Sequence, residues 1–571
     1  MKAVAIDIET TGLGWDAQVL TISVASGTTE EAVQSFAYNI SLPGLFVPPL
    51  QIPEAAAALR NHLQDAEWVV FHNASFDLPY LFRCGILLPE QVWGRIFDTL
   101  VMSRSTGPHI SVSLSNLCAV YHIGNEEWRS QKSKRSKLAR MDPETVLAYA
   151  ASDAENTLRL FFRVYPLAIG MYTKDWISED GNYSIVIAAM RQNGIALDLQ
   201  RIQEIREEKT EEYVELLKST LAPNQIRGPN DRRGVLAYLG SCGEALSVTA
   251  AGNPQLDQAA IDMLLNANLS ESTAAVLRAI SRARHLQKEI GTWLTGMEEA
   301  ADGVGRVHPS FFVGGTVSSR LSCSHPNTQA VPKELYGQLF VAGTPRGALI
   351  SSDYSQAELR LAAIYAGETT MAEIFSDRTN DIHLATARVM FGDEKAAENR
   401  QLAKRVNFGS IYGAGARVIS EETGISIEAA AALLKQHRKS FPKLFATSKR
   451  VEERWKSRGY LVLAGGRRLY ATPDDLAFKS YKAYNQLIQG GVAGILAAAT
   501  IKVYKAGLKI VNQVHDQIDV EVAPEDDADA VAHFMQETMR GAVPVELLGS
   551  TNPPIMLEAD CEIKRRESER T

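Results

Sequence analysis

The stretch "GALISSDYSQAELRLAAIYAG", residues 347–367, places a carboxylate between a predicted strand and a predicted helix. Leu349 and Ile350 are typical of a buried strand, and the segment that follows has the apolar spacing of a helix. Asp353 is therefore expected at the end of the strand, where a divalent cation could also use the backbone carbonyl of Tyr354. An acid in these surroundings needs a partner elsewhere in the chain, because an isolated buried charge is costly.

The partner is predicted in "QVHDQ", residues 513–517, where Asp516 lies between two apolar strand segments. A third stretch, "RQLAKRVNFGSIYG" at 400–413, has helical spacing. Its cations and its aromatic ring suit the phosphates and the base or sugar of a nucleoside triphosphate, whereas a solvated basic stripe is the alternative for this helix alone. The side chains that share one face within about 100° are Arg400, Lys404, Asn407 and Phe408.

A second set of carboxylates lies near the N-terminus. In "VAIDIETTGL", residues 4–13, the period-two alternation of a strand places two acids on one face. Two helical segments each add another acid, four residues after an Asn in one and after a Tyr in the other. Four such acids can hold two Mg²⁺ ions that bind the attacking water and the leaving oxygen of a phosphodiester, although acids on an inert α/β surface are the alternative. The set is Asp7, Glu9, Asn73, Asp77, Tyr149 and Asp153, with Tyr149 placed to orient the water.

The composition limits the classes of protein to be considered. A chain of 571 residues predicts three or four domains, and its net charge of −8 confines any nucleic-acid surface to a local basic patch. The basic loop "RSQKSKRSK" at 129–137 is either such a patch or a solvated loop. Five scattered cysteines argue for a reducing cytosol and against a disulfide framework or a structural zinc site. No uninterrupted run of 18 apolar residues is present, so no membrane partner is expected.

Together, the three stretches around Asp353, Arg400 and Asp516 closely resemble motifs A, B and C of the family A DNA polymerases, the group of bacterial DNA polymerase I and related phage replicases. The segments 316–332, 381–392, 465–473 and 484–494 resemble further motifs of that family, and residues 1 to about 165 resemble the DEDD-type 3′–5′ exonucleases. The resemblance implies a multidomain chain of α/β and α+β class. A ribonuclease H-like exonuclease domain at 1–168 would precede a right-hand polymerase domain at 169–571, with a thumb at about 169–305, a palm at about 306–370 and 495–571, and fingers at about 371–494.

For the polymerase domain, the resemblance implies template-directed synthesis from dNTPs by two-metal nucleotidyl transfer. Mg²⁺ is the expected metal, two ions per active site, with Mn²⁺ as a substitute. The implied metal ligands are Asp353, Asp516 and the carbonyl of Tyr354, and Lys404 would help to protonate the pyrophosphate. Glu358 would exclude ribonucleotides. The other implied dNTP contacts are Arg400, Phe408, Tyr412, His383 and Gln356, and the implied DNA contacts are Arg320, Asn327, Gln329, Asn485, Gln489 and His515.

For the exonuclease domain, the resemblance implies proofreading of a single-stranded 3′ end, with Asp7, Glu9, Asp77 and Asp153 as metal ligands and Tyr149 as a catalytic residue. Primer–template DNA and dNTPs are the other implied partners of a monomer in the cytoplasm of a bacterium or a phage-infected cell. Because the sequence starts at the first exonuclease strand, no 5′-nuclease domain is expected.

The sequence departs from the family at one position beside the expected metal site. Gln517 follows Asp516 where the family usually has Glu, and Asp519 lies two residues on, on the same strand face. The hypothesis is an altered metal affinity or rate. Two alternative functions remain at this stage: a nuclease-dominant repair enzyme whose polymerase is weakened, and a non-catalytic DNA-binding scaffold. Ala330 and Val331 also replace the family's usual Asn-Ile.

Overall fold

The structure is a computed structural model that describes residues 1–42, 49–124, 142–244, 254–265, 269–377, 380–543, 549 and 551–566. The basic loop at 129–137 lies outside these described residues, so its two interpretations stay open. The chain forms two compact units. The first comprises Met1–Gly194, His308–Gln329 and Thr344–Thr571, and the second comprises Ile195–Val307 and Ala330–Gly343.

The first unit begins with a five-stranded mixed sheet. Its central strand pairs antiparallel with one neighbour and parallel with the other. Ala3 and Ala5 face one buried cluster whereas Val4 and Ile6 face another, because helices cover both sides of the sheet. The strand order is Gln34–Asn39, Val19–Gly27, Ala3–Thr10, Trp68–Phe71 and Ile96–Asp98. The helices described in this region are Ile52–Leu63, Ala74–Arg83, Pro89–Val92, Thr99–Thr106, Leu114–Val120 and Pro143–Ile169.

A four-stranded antiparallel sheet forms the second part of the first unit. Asp353 lies within its strand Ala348–Ser355 and not at the strand end, because the strand continues for two residues before the helix Ala357–Ala366. A tight turn joins two of its strands, and His515 in that turn has a positive φ of 51°. The strand order is Lys509–Val514, Gln517–Val522, Ala348–Ser355 and Glu558–Arg565.

Helices and two short hairpins complete the first unit. The predicted helix of the third stretch is present as Arg400–Tyr412. Ser310–Phe312 pairs with Ser322–Ser324, and Tyr460–Val462 pairs with Arg468–Tyr470. The other described helices include Lys174–Asn193, Thr369–Phe375, Ile382–Phe391, Asp393–Ala396, Ala416–Thr423, Ile427–Ser440, Pro442–Arg458, Pro473–Phe478, Ala483–Lys505 and Ala528–Arg540.

One helical segment, Ser480–Lys505, is long and apolar enough to cross a membrane by length and composition. Such a segment is weak evidence for a membrane span, because the core helix of a soluble protein passes the same test. Here Ile488, Val492 and Leu496 are buried in an extensive hydrophobic core. The segment therefore packs as a core helix.

The second unit is mainly helical, as the long amphipathic segments predict. Leu221, Val235, Leu277 and Ile280 form its buried core. Its helices include Leu199–Leu216, Arg232–Ser241, Gln258–Leu265, Glu271–Lys288 and Lys333–Leu339, and its small sheet comprises Ile195–Leu197, Arg306–Val307 and Phe340–Val341. The helix Lys174–Asn193, inside the range expected for a thumb, belongs to the first unit. The domain limits remain predictions.

Candidate active sites

Three of the predicted N-terminal acids converge. Strand alternation directs Asp7 and Glu9 to the same side of the five-stranded sheet, and Asp153 reaches them from the helix Pro143–Ile169. One ligand oxygen of each acid lies within 4.8 Å of those of the other two. Carboxylates at such distances repel one another when ionised, so the arrangement suits a divalent cation between them.

The fourth acid, Asp77, lies beside this group on the helix Ala74–Arg83 and is 3% exposed. Its Oδ1 accepts a hydrogen bond from the backbone N–H of Ile8, at 3.1 Å. Burial raises the pKa of Asp77 well above its usual range, and the carboxylates of Asp98 and Glu9 raise it further. A bound cation would favour the ionised form and oppose these effects.

Asp98 is a buried carboxylate that the sequence analysis did not single out. Its Oδ1 accepts hydrogen bonds from the backbone N–H groups of Asn73 and Leu100, at 3.0 and 2.9 Å. Its Oδ2 accepts one from Ala74, at 2.7 Å. Asp98 thereby holds the start of the helix that carries Asp77. The signal that could have found it is an Asp between a strand and a helix in "RIFDTL", since Asp is a preferred N-cap residue.

A cavity of about 710 Å³ opens at these carboxylates. This volume is within the range of sites for small ligands. Tyr149 is buried one helical turn before Asp153. The cavity lining includes Asp7, Glu9, Asn73 and Asp77 on one side and Ser310, Phe312 and His325 from the first short hairpin and the chain just after it.

The second pair of predicted acids is also brought together. Asp353 lies directly opposite Gln517 in the antiparallel register, so Asp516, one residue nearer the turn, comes at the position opposite Tyr354 and next to Asp353. The backbone N–H of Tyr354 donates to the carbonyl oxygen of Asp516, at 3.3 Å, which fastens the turn to the strand. The Tyr354 hydroxyl donates to the carbonyl of Met539, at 2.6 Å.

Arg320 connects Asp516 to Glu358. Its Nη2 lies 2.6 Å from Glu358 Oε1 and 3.6 Å from Asp516 Oδ1. The Tyr412 hydroxyl donates to Glu358 Oε2, at 2.5 Å. Glu358 is 7% exposed, so its charge is both buried and satisfied from two sides. These four residues come from four separate segments of the sequence.

The electrostatics at Asp516 favour a cation. Burial raises its pKa to about 6; Arg320 opposes this shift, whereas Glu358 and Asp353 add to it. Asp516 Oδ1 is buried, and no hydrogen-bond partner for it occurs among the described residues. A carboxylate oxygen in that condition is a ready ligand for a hard divalent ion.

The predicted triphosphate contacts lie on two helices. Lys404 and Arg400 remain accessible, and Arg400 Nε pairs with Asp381 Oδ2 at 2.6 Å. The rings of Phe408 and Tyr412 are stacked with centroids 6.0 Å apart. Burial lowers the pKa of His383 to about 4, so its ring is neutral at pH 7.

Asn407 does not share the accessible face on which the sequence placed it. Its side chain points into the protein interior and is only 1% exposed. Its Nδ2 lies 3.1 Å from His383 Nδ1 and donates to Thr386 Oγ1 at 3.1 Å, and its Oδ1 lies 2.8 Å from His437 Nε2. The buried side chain of Asn407 therefore links His383 and Thr386 to His437 through hydrogen bonds.

The predicted DNA contacts differ in exposure and in their partners. Gln329 Nε2 donates to the backbone oxygen of Gln513, at 3.1 Å, next to the turn with the exposed His515. Asn327 is exposed, and the buried Oδ1 of Asn485 has no hydrogen-bond partner among the described residues. The remaining predicted DNA contacts are Arg320, described above, and the half-buried Gln489.

Gln356 is predicted to contact dNTP. It occupies the N-cap position of the helix Ala357–Ala366, with a φ of 56°.

Gln517 has a partner on its own strand. Its Nε2 donates to Asp519 Oδ1, at 2.6 Å. Asp519 is fully buried, and both side chains lie on one face of the strand Gln517–Val522. The shared strand face that the sequence predicted is thus present as a direct hydrogen bond.

Comparison with known proteins identifies the chain. The family model described as DNA polymerase family A matches residues 238–566, and the model described as 3′-5′ exonuclease matches residues 1–164. The chain belongs to DNA polymerase family A. It is a DNA-directed DNA polymerase with an N-terminal 3′–5′ exonuclease domain, and domains of both kinds are generally metal-dependent.

The polymerase is similar to relatives from phages and bacteria. It is 26% identical to the DNA polymerase of Mycobacterium phage D29, over 99% of this chain and 93% of that protein. It is 30% identical to the thermostable DNA polymerase I of Thermus aquaticus, over 63% of this chain but only 45% of that protein. The POL domain of Pol1 from M. smegmatis, solved in a complex with DNA primer-template and dNTP, has a TM-score of 0.77 at 21% identity, covering 99% of this chain and 95% of that one. The predicted fold class is confirmed.

Proposed function

We propose that the polymerase extends a primer 3′ end at a site built on Asp353 and Asp516 and trims a single-stranded 3′ end at a site built on Asp7, Glu9 and Asp153. The observation that carries the proposal is the presence of two separate carboxylate sites in one chain, one between a strand and a helix and the other at a pair of adjacent strands. Similarity to phage enzymes favours a role in phage-type genome replication. Nuclease-dominant repair and a non-catalytic scaffold become outcomes of the experiment below.

Mg²⁺ is the proposed metal at both sites, two ions at each, and Mn²⁺ is its proposed substitute. The donor sets fit, because each consists of buried or half-buried carboxylates, and Asp516 contributes an oxygen that has no hydrogen-bond partner among the residues that the structure describes. The ligands would be Asp353, Asp516 and the carbonyl of Tyr354 at one site and Asp7, Glu9, Asp77 and Asp153 at the other. Bound ions would supply charge stabilisation and activation of the attacking hydroxyl or water.

His383 is proposed to contact the incoming triphosphate as a neutral donor. Thr386 Oγ1 donates to the backbone oxygen of Ile382, so it accepts from Asn407 Nδ2. The same Nδ2 faces His383 Nδ1, which must therefore accept and carry no proton. The proton of the neutral ring then resides on Nε2, where it can donate to a phosphate oxygen. Charge neutralisation is left to Lys404 and Arg400.

Lys404 is also proposed to donate a proton to the leaving pyrophosphate, since it is an accessible ammonium on the helix Arg400–Tyr412. Glu358, held by Arg320 and Tyr412, is proposed to fill the space of a ribose 2′-hydroxyl. Phe408 and Tyr412 would stack near the sugar and the templating base. Gln356 is proposed as a further dNTP contact.

Primer–template DNA is the proposed partner of the polymerase site. Minor-groove contacts present a degenerate pattern of acceptors, so one set of side chains can accept every correct pair. We propose a monomeric enzyme in the cytoplasm of a bacterium or a phage-infected cell. The proposed DNA contacts are Arg320, Asn327, Gln329, Asn485, Gln489 and His515.

At the exonuclease site, Tyr149 is proposed to orient the attacking water. Its position one helical turn before Asp153 supports this role, because both side chains then project from one face of the helix. The cavity lined by Asp7, Glu9 and Asp77 would receive the 3′-terminal nucleotide.

A 5′-labelled primer on a longer template, incubated with Mg²⁺, tests the proposal. Extension with dNTPs and shortening without them is the expected result. Shortening in both conditions would favour the nuclease-dominant repair enzyme, and an unchanged primer in both would favour the scaffold. Either of these outcomes would overturn the proposed function.

A further inference from the structure

The hydrogen bond between Gln517 and Asp519 fixes which end of the Gln517 amide faces the reaction site. Asp519 is 0% exposed, and the 2.6 Å contact joins its Oδ1 to Gln517 Nε2. In this contact the amide nitrogen donates and the carboxyl oxygen of Asp519 accepts. The carbonyl oxygen Oε1 of Gln517 consequently points away from Asp519.

Gln517 is next to Asp516 in the chain and directly opposite Asp353 in the strand register. We propose that Asp519 is a positioning residue for nucleotidyl transfer: it holds Gln517 so that an uncharged oxygen acceptor is presented beside the two catalytic carboxylates. This inference rests on the proposed function, because it assigns a further residue to the same polymerase site. The group that Gln517 Oε1 would accept from is a hydroxyl or a cation-bound water at that site.

The pair also fixes where a third carboxyl group lies, after those of Asp353 and Asp516. Residues two apart on a strand are separated by about 6.6–6.8 Å, so the backbone position that carries the Asp519 carboxyl is that far from position 517. A carboxylate at position 517 would bring two carboxyl groups to hydrogen-bond distance in a buried environment, where they repel one another unless they share a proton. Gln517 and Asp519 are therefore a matched pair, and Gln517→Glu alone is expected to impair the site.

A double-mutant cycle tests this inference. Four proteins are compared in the full-length chain carrying Asp7→Ala, which prevents trimming of the product: the parent, Gln517→Glu, Asp519→Asn and the double variant. The double variant moves the carboxyl group from position 519 to position 517 and keeps an amide donor facing a carboxyl acceptor. Single-nucleotide incorporation gives kcat and KM for dNTP, thermal unfolding gives Tm, and binding of Mn²⁺ is measured without substrate.

Each single substitution is expected to lower kcat by about 10-fold, the usual effect of disturbing a group that orients a metal-site residue, with KM for dNTP unchanged within about threefold. Gln517→Glu is also expected to lower Tm by about 3 °C and to alter Mn²⁺ affinity. The double variant should recover kcat to within about threefold of the parent and regain the parent Tm, instead of the roughly 100-fold loss expected from independent effects.

Glu521→Gln is the matched control, because Glu521 is a buried acid two residues further along the same strand face, paired with Lys509 at 3.2 Å. Its kcat is expected to match that of the parent. Multiplicative losses in the double variant, or a Gln517→Glu variant with parental kcat and Tm, would overturn the inference. If the parent failed to extend any primer, the proposed function would be rejected. The Tm values of the four proteins would still show whether residues 517 and 519 are energetically coupled.

Discussion

The hydroxyl of Tyr412 donates a 2.5 Å hydrogen bond to Oε2 of Glu358, a carboxylate 7% exposed and held on its other oxygen by Arg320. Burial and this carboxylate both raise the pKa of Tyr412, so the phenol remains a donor at any working pH. The two contacts fix the position of Glu358, so the ribonucleotide exclusion proposed for Glu358 is expected to depend on Arg320 and Tyr412 as well.

Tyr412→Phe is expected to weaken discrimination against ribonucleotides by about 5- to 10-fold. The reason is the loss of one hydrogen bond, with a net contribution of about 1–1.5 kcal/mol, which lets Glu358 leave the position proposed to block a 2′-hydroxyl. Discrimination is measured as the ratio of kcat/KM for dNTP to that for the matching rNTP. Glu358→Ala should reduce the ratio further; an unchanged ratio in both variants would refute the assigned role of Glu358.

Asp353→Ala is expected to lower primer extension by about 1,000-fold or more and to leave trimming intact, because several kcal/mol of charge stabilisation is lost at one site only. Asp7→Ala should do the reverse. Both activities are followed on one labelled primer, with and without dNTPs. Loss of both activities in either variant, with Tm unchanged, would contradict the assignment of two independent sites.

Asp98→Ala is expected to reduce trimming by about 10-fold or more and to lower the free energy of unfolding by about 2–3 kcal/mol. The substitution removes the acceptor of hydrogen bonds from Asn73, Ala74 and Leu100, and it thereby releases the helix that carries Asp77. Primer extension should be retained and serves as the control. Trimming at the wild-type rate would show that the helix start does not need this carboxylate.

His437 is expected to make the stability of the polymerase pH-dependent. Burial lowers its pKa to about 4, while the unfolded chain titrates near 6.5, so the unfolded state binds more protons between these values. The sign follows: the stabilisation is complete above pH 6.5 and is lost as the pH falls towards 4. At pH 5 the loss is about 2 kcal/mol relative to pH 7.5.

Denaturant unfolding of the wild type and of His437→Gln, at pH 7.5 and pH 5, measures this contribution. The variant should lose about 2 kcal/mol less than the wild type over the same interval, although it is less stable at pH 7.5 because Gln does not reproduce the contact with Asn407. Equal losses in the two proteins would mean that His437 does not titrate as its burial indicates.

The sequence predicted those features of the sites that follow from periodicity along a single element. Asp7 and Glu9 share a strand face because side chains alternate, and Tyr149 and Asp153 share a helix face because they are one turn apart. The shared face of Gln517 and Asp519 was predicted in the same way. Family resemblance then paired Asp353 with Asp516, which periodicity alone could not do.

The features that could not be predicted depend on contacts between distant segments. Arg320 reaches both Glu358 and Asp516, and nothing in its local sequence indicates this geometry. Asn407 lies at the edge of a helical face, where tertiary packing alone decides that it is buried. The strand end beyond Asp353 was misplaced by two residues, since pairing with a neighbouring strand prolongs it.

The lining of the exonuclease cavity has a consequence for dividing this enzyme. Phe312 and His325, which help to line the space at Asp7 and Asp77, come from the polymerase half of the sequence. A fragment that stops near residue 168 would retain every proposed metal ligand and still lack part of that lining. Proteolysis or gene truncation near residue 168 is therefore expected to yield a poorer nuclease than a point substitution that silences synthesis, so the two activities are better uncoupled by mutation than by cutting the chain.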